Sequence, residues 1–123
     1  MFWKELLFVS LGSGVGGALR YLCSLLLRPS SAGFPVSTFA VNVLGCLLIG
    51  ILAGLMHRMP QIPHCWSLFL GVGLCGGFTT FSTFSKEGFQ MLQSGQMLLY
   101  LLYVAGSIVL GLAAVAFGWW LTK

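Results

Sequence analysis

Charged side chains are scarce in this chain of 123 residues. They make up 7% of the sequence, whereas 58% of the residues are hydrophobic and the mean hydropathy is +0.97. A soluble domain carries roughly 25% charged residues. Acidic groups are the scarcest, because Glu5 and Glu87 are the only carboxylate side chains. A chain this poor in charge cannot cover itself with a water-facing surface, so the composition excludes a soluble enzyme.

The uncharged residues form long runs. No Asp, Glu, Lys or Arg occurs in residues 29–57, 59–85 or 88–122, and about 20 apolar residues are enough to cross a bilayer. A fourth apolar segment begins near Lys4 and contains Arg20, whose long side chain can reach the headgroups from near a helix end. Glycines and an early glutamate in this segment argue against a cleaved signal peptide. We therefore predict an all-α membrane protein, with a single four-helix transmembrane domain over 1–123 and helices at about 4–27, 37–56, 65–93 and 96–122.

The third segment, residues 65–93, is too long for one straight crossing of about 20 residues. Its middle places Gly76 and Gly77 before a series of hydroxyl residues, and each glycine costs a helix about 1 kcal/mol relative to alanine. We predict that this helix is broken near 75–80, close to mid-membrane. Irregular backbone is tolerated there only inside protein or beside a wet cavity, so the break indicates a functional site.

Other glycines stand four residues apart, a spacing that lets helices approach closely. We assign this packing role to the pairs Gly12/Gly16 and Gly50/Gly54. We assign the pair Gly73/Gly77 to the break, with close packing as the alternative.

The first link, residues 28–36, contains residues that end helices, including Pro29, Ser30 and Ser31. A hydroxyl residue after this link, Ser37 or Thr38, is expected as the N-cap of the second helix.

The charges give little guide to orientation. With four crossings, one side of the membrane receives Lys4, Arg58 and Lys123, and the other receives Arg28 and Lys86. The excess of basic residues on the cytoplasmic side, which usually sets topology, is therefore nearly absent. One explanation is that the chain inserts in both orientations.

Side chains for catalysis or metal binding are few. Glu5 and Glu87 stand beside lysines rather than deep in a span, so a proton-coupled antiporter would lack its coupling group. His57 and His64 share one link and are interpreted as surface residues. Singly scattered basic residues do not form a nucleic-acid patch. No C-x-x-C motif occurs, and we expect free thiols at Cys23, Cys46, Cys65 and Cys75. We predict a protein that is not an enzyme.

Neutral polar and aromatic side chains do occur within the apolar segments. Asn42 lies in the second helix, where it must either bond another helix or face a permeant ion, because an unpaired amide there is costly. Phe81 and Phe84 share one helix face. Such spacing is typical of core packing, but aromatic ring edges also carry positive partial charge that can meet an anion. Tyr103 and Ser107, four residues apart, place two hydroxyls on one stripe of the fourth helix.

Three runs carry a resemblance to a known family. They are GGALRY at 16–21, TFAVNVLG at 38–45 and GGFTTFSTFS at 76–85. In these runs the chain resembles the Fluc (CrcB-type) fluoride channels of microbial membranes, and the likeness spans essentially the whole length. The resemblance implies a multi-pass protein of the bacterial plasma or inner membrane. It also implies an antiparallel, dual-topology homodimer with two passive, fluoride-selective pathways.

The resemblance also implies roles for individual residues. Phe81 and Phe84 would line the pathway with their ring edges toward fluoride, and Asn42 would donate to the ion or position a ring. Hydroxyls along the pathway would come from Thr83, Ser107 and Tyr103. The backbone carbonyls of Gly76 and Thr79 would hold a structural Na⁺ at the dimer centre. Arg20 would lie in a wet vestibule, Glu87 has no assigned role, and Gly111 cannot extend the hydroxyl stripe beyond Ser107.

Two alternatives stay open. One is a cation-coupled exporter of a small ion or molecule, of the four-helix dual-topology type, in which sodium would be transported rather than structural. The other is a non-transporting subunit that packs with larger membrane proteins.

Overall fold

The computed structural model describes residues 2–28 and 33–123. Within this part of the chain, four stretches are long and apolar enough to cross a membrane. They are α1 (Phe2–Leu26), α2 (Val36–Arg58), a third span over His64–Gln93 and a last helix over Met97–Thr122. The described ranges contain no β-strand. The predicted all-helical architecture with four membrane-spanning segments is therefore confirmed.

The third span consists of several helical pieces. In chain order these are α3 (His64–Ser67), a π-helix over Leu68–Cys75, α4 (Gly76–Phe78) and α5 (Phe81–Gln93), and the last helix is α6 (Met97–Thr122). Between α4 and α5 the backbone is extended, with ψ of 160° at Thr79 and 122° at Thr80. The Thr79 N–H still donates to the Cys75 carbonyl oxygen at 3.0 Å, but the Thr80 N–H does not continue the helix, so the helical bonding is interrupted near the middle of the span. We call Thr79 and Thr80 the gap.

Two glycines lie in the interval 75–80 for which we predicted a break. Gly76 and Gly77 are helical, and the gap follows them. A Cβ atom added to Gly77 would lie 2.6 Å from the carbonyl oxygen of Ser13, and one added to Gly73 would lie 2.9 Å from the Cα atom of Gly12. The assignment of the pair Gly73/Gly77 to the break was wrong, because both glycines let α1 pack directly against the third span.

The remaining glycine pairs also serve close packing, as predicted. A Cβ atom at Gly12 would lie 3.0 Å from the Cα atom of Gly73 in the third span. A Cβ atom at Gly50 would lie 2.9 Å from the Cα atom of Val115, which belongs to α6. The molecule is thus built from two tight pairs, α1 with the third span and α2 with α6.

Helix α2 begins without a hydroxyl cap. Its N-cap is Pro35, and no side chain caps its first turn. The expectation that Ser37 or Thr38 caps this helix was wrong. Thr38 is the third residue of the helix, in its first turn, and is buried. A proline suits the start of a helix because it lacks a backbone N–H and its φ is already near the helical value. The predicted helix-ending residues Pro29, Ser30 and Ser31 lie outside the described residues.

Candidate functional site

One side chain of α2 holds the gap in the third span. The Asn42 Nδ2 atom donates a hydrogen bond to the Thr80 carbonyl oxygen at 3.1 Å. The Thr80 backbone N–H donates to Asn42 Oδ1 at 2.9 Å. This paired contact satisfies both backbone groups of Thr80, as a neighbouring strand would. Asn42 therefore has an interhelical partner, and one of its two Nδ2 hydrogens is left for another acceptor.

The gap also frees carbonyl groups at the end of α4. In a continuous α-helix the Thr80 N–H would donate to the Gly76 carbonyl oxygen, but this N–H bonds Asn42 instead. The next carbonyl, that of Gly77, accepts from Arg20 Nε at 3.2 Å. The Gly76 carbonyl has thus lost its helical donor.

Arg20 extends from α1 to the third span. Its side chain is half-buried and reaches across to the end of α4. That this arginine reaches the headgroups stays a prediction, and the carbonyl left open by the gap is one acceptor for its Nε–H. A cation at the C-terminal end of a helix is also electrostatically favourable.

The hydroxyl groups of the gap bond to nearby backbone. Thr79 Oγ1 donates to the Cys75 carbonyl oxygen at 2.9 Å. Thr80 Oγ1 accepts from the Thr83 backbone N–H at 3.2 Å and so caps the N-terminus of α5. The two threonines therefore end one helix and begin the next.

A cleft of about 480 Å³ opens beside the gap, between α2, the third span and α6. It brings together six of the predicted site residues: Asn42, Gly76, Thr79, Phe81, Phe84 and Ser107. The other residues along its walls are Gly45, Cys46, Ile49, Gly71, Cys75, Thr80 and Ile108. None of these described lining residues is charged, so polar contact in the cleft comes from amide, hydroxyl, thiol and carbonyl groups.

One polar group in the cleft lacks a partner. Ser107 Oγ is buried and has no hydrogen bond to any described residue. An unsatisfied buried polar group costs about 1–3 kcal/mol, and native proteins usually supply a partner. The hydroxyl is thus available to donate to an ion or a water molecule in the cleft.

Aromatic rings extend from the cleft into the protein. Phe81 is 79% exposed, and its ring centroid lies 6.0 Å from that of Phe84. The Phe84 ring lies 4.9 Å from that of Tyr103. These rings form one continuous column along the side of α5 that faces α6.

Backbone carbonyl oxygens are the groups with which the site could bind a cation. Among residues 2–28 and 33–123, no group of three or more His, Cys, Asp or Glu side chains is placed to hold a metal. Gly76 and Thr79 both line the cleft, and the Gly76 carbonyl is released from the helix. Small hard cations prefer oxygen ligands, so this donor set fits Na⁺.

Comparison with known proteins now identifies the family. The sequence model of the CrcB family, described as CrcB-like protein, Camphor Resistance (CrcB), matches residues 7–119. The chain belongs to the CrcB family. The resemblance found in the three sequence runs is thereby confirmed. With its four spans, this CrcB-family chain is a multi-pass membrane protein.

Similar proteins from three bacteria bear one name, fluoride-specific ion channel FluC. The protein from Phocaeicola vulgatus is 47% identical over 98% of this chain and 99% of its own length. The protein from Flavobacterium psychrophilum is 44% identical over 90% of each chain. The protein from Azobacteroides pseudotrichonymphae is 43% identical over 98% of this chain and 97% of its own length.

Two predicted pathway residues of this CrcB-family chain lie outside the cleft lining. Tyr103 is fully buried, and its hydroxyl donates to Glu87 Oε1 at 3.1 Å. Thr83 is half-buried, and its backbone N–H bonds Thr80. Sequence reasoning assigned no role to Glu87, although its position three residues after Phe84 places it on the same helix face.

Sequence reasoning also missed Cys46 as a site residue. A Cβ atom at Gly111 would lie 3.3 Å from Cys46 Sγ, so the glycine leaves room for this thiol beside the cleft. The signal was weak, because a cysteine in an apolar helix is usually a small core residue.

Proposed function

We propose that this CrcB-family chain is a passive, fluoride-selective ion channel. The observation that carries the proposal is the unpartnered Ser107 hydroxyl in a cleft without charged side chains. Fluoride is small, binds water strongly and accepts strong hydrogen bonds. A path selective for it must therefore be narrow and rich in neutral donors, which replace the hydration shell.

The pathway that we propose follows the cleft and the aromatic column. The free Nδ2 hydrogen of Asn42 and the Ser107 hydroxyl donate to the ion, while the ring edges of Phe81 and Phe84 offer positive partial charge. The Tyr103 hydroxyl lies one turn from Ser107 on the same face of α6 and extends this track, and Thr83 contributes a further hydroxyl from α5. Arg20, half-buried near the end of α4, draws anions toward the entrance.

We propose that a second, antiparallel copy of the chain completes each pathway. The cleft is open on one side, and Phe81 is 79% exposed there, so one subunit does not enclose an ion. Nearly equal basic charge at the two ends of the spans allows insertion in both orientations. Two copies related by a twofold axis then form two pathways.

The carbonyl oxygens of Gly76 and Thr79 would hold a structural Na⁺ where the two copies meet. When bound, this ion supplies positive charge close to the anion paths without adding a charged side chain. Asn42 orients the backbone around the gap, and Arg20 supports the Gly77 carbonyl at the end of α4.

The physiological role follows from the acid chemistry of fluoride. HF crosses membranes as a neutral molecule and dissociates in the more alkaline cytoplasm, where the anion is trapped. A passive channel lets fluoride leave down its electrochemical gradient and relieves its toxicity.

Anion efflux from liposomes that contain only this polypeptide tests the proposal. With equal Na⁺ on both sides and a potassium ionophore to balance charge, we expect rapid fluoride efflux and no chloride efflux. Equal efflux of both halides, or none of either, contradicts the proposal. An imposed Na⁺ or proton gradient should not drive fluoride uphill, whereas a coupled exporter would do so. A non-transporting subunit would move no anion until a partner is added.

A further inference from the structure

Two of the four cysteines line the cleft. They are Cys46 on α2 and Cys75 in the third span, and neither is in a disulfide. Cys75 is buried and Cys46 is half-buried. Cys23 and Cys65 are also free but do not line the cleft. The chain therefore contains a pair of thiols at its candidate site and a matched pair outside it.

Packing of α2 on the third span places the two cleft thiols at neighbouring levels. A Cβ atom at Gly45 would contact the Thr79 side chain, and one at Gly71 would lie 3.6 Å from Cδ1 of Ile49. The two segments therefore run in opposite directions. Cys46 follows Gly45 directly, and Cys75 lies midway between Gly71 and Thr79. Both thiols thus belong to the same section of the cleft.

The surroundings of Cys46 link this section to the proposed ion path. Its sulfur lies 3.3 Å from the position that a Cβ atom would take at Gly111. Gly111 is one helical turn beyond Ser107, whose buried hydroxyl has no partner among the described residues. The same section of the cleft therefore contains two free thiols and an unsatisfied hydroxyl.

We propose that Cys46 and Cys75 form a binding site for a soft monovalent cation, of the class of Cu⁺ and Ag⁺, which blocks the anion path when occupied. Thiolate sulfur is the ligand that selects such ions. As each sulfur–metal bond forms, the thiol releases its proton to water, so no oxidant or reductant is needed. Block of the path rests on the proposed function, whereas metal binding does not.

The flux experiment uses Ag⁺ as the probe, supplied as nitrate in chloride-free buffer. We expect micromolar Ag⁺ to stop fluoride efflux from liposomes that contain the wild-type protein. In Cys46→Ser/Cys75→Ser, the half-inhibitory concentration should rise roughly tenfold or more, as for a loss of about 1.4 kcal/mol of binding free energy. The fluoride efflux of each variant in Ag⁺ is expressed as a fraction of its own efflux without metal. Cys23→Ser/Cys65→Ser is the matched control and should retain the wild-type sensitivity.

Direct metal binding separates the two proposals. Equilibrium dialysis of the purified protein against Ag⁺ should detect binding that Cys46→Ser/Cys75→Ser loses and Cys23→Ser/Cys65→Ser keeps. Binding with this pattern supports the site even if the protein moves no fluoride. Equal binding by both double variants overturns it. If Cys46→Ser/Cys75→Ser fails to assemble, the control variant still decides, because loss of Ag⁺ binding in Cys23→Ser/Cys65→Ser contradicts the assignment.

Discussion

At the scale of single residues, Asn42 combines two roles that sequence reasoning treated as alternatives. Its amide pairs with both backbone groups of Thr80, which is the structural role. One Nδ2 hydrogen remains, and Asn42 lines the cleft, which leaves it able to donate to an ion. Because the amide is fixed by two hydrogen bonds, its remaining donor has a defined direction.

The aromatic role of Phe81 is tested by Phe81→Ile. An aliphatic side chain fills similar space but lacks the positive ring edge. We expect fluoride efflux to fall about tenfold or more, which corresponds to at least about 1.4 kcal/mol, while the assembled protein stays intact on size exclusion. Phe89→Ile is the control, since Phe89 lies on the same helix, is 60% exposed and does not line the cleft. Equal efflux in the two variants would remove the ring-edge argument.

At the scale of helices, close approach decides which glycines matter. Gly12 faces the third span, with the Gly73 Cα atom 3.0 Å from the position of an added Cβ. Gly14 lies two residues further along the same helix but has no atom within 4 Å of such a Cβ. In the membrane, where burial of apolar surface does not drive helices together, this backbone contact is a main source of packing energy.

The contrast predicts different effects of two matched substitutions. Gly12→Ala should destabilise the packing of α1 on the third span by about 1–3 kcal/mol, the usual cost of overpacking. Gly14→Ala should leave stability unchanged or raise it by up to about 1 kcal/mol, because alanine is the better helix former and nothing lies near the added methyl group. Thermal unfolding in detergent, followed by circular dichroism, measures the difference. A Gly12→Ala variant as stable as Gly14→Ala would show that the helices separate without cost.

At the scale of the whole molecule, the proposed antiparallel pairing rests on two features, an open cleft and nearly equal basic charge at the two ends of the spans. In the proposal, a chain without an orientation bias supplies copies in both orientations. Pairing of two such copies about a twofold axis in the membrane plane would enclose both clefts at once.

Removing the balance of basic charge between the two membrane sides tests the proposed antiparallel dimer. In Arg28→Gln/Lys86→Gln, basic side chains remain at one membrane side, so protease accessibility of a terminal tag should show a single orientation instead of about half in each. Fluoride efflux in cells should then be lost. Co-expression with the oppositely biased Lys4→Gln/Arg58→Gln should restore it. Full efflux from a singly oriented population would contradict the antiparallel dimer.

Hydropathy and spacing along the chain determined much of this protein before any contact was known. Four apolar segments predicted four spanning helices, and the length of 65–93 with its glycines and hydroxyls marked the third as unusual. The three runs identified the family. These properties depend only on the local order of residues, because a bilayer selects segments by length and polarity.

Tertiary structure alone decided which partners the unusual residues find. Within the predicted interval 75–80 it placed the gap at Thr79 and Thr80, whereas Gly73 and Gly77 serve the close approach of α1. It also decided that Arg20 bonds the Gly77 carbonyl and that Tyr103 bonds Glu87. It placed the Cys46 sulfur beside Gly111. Hydrogen bonds and backbone contacts of this kind join residues far apart in the chain, so they depend on which helices meet and at what distance.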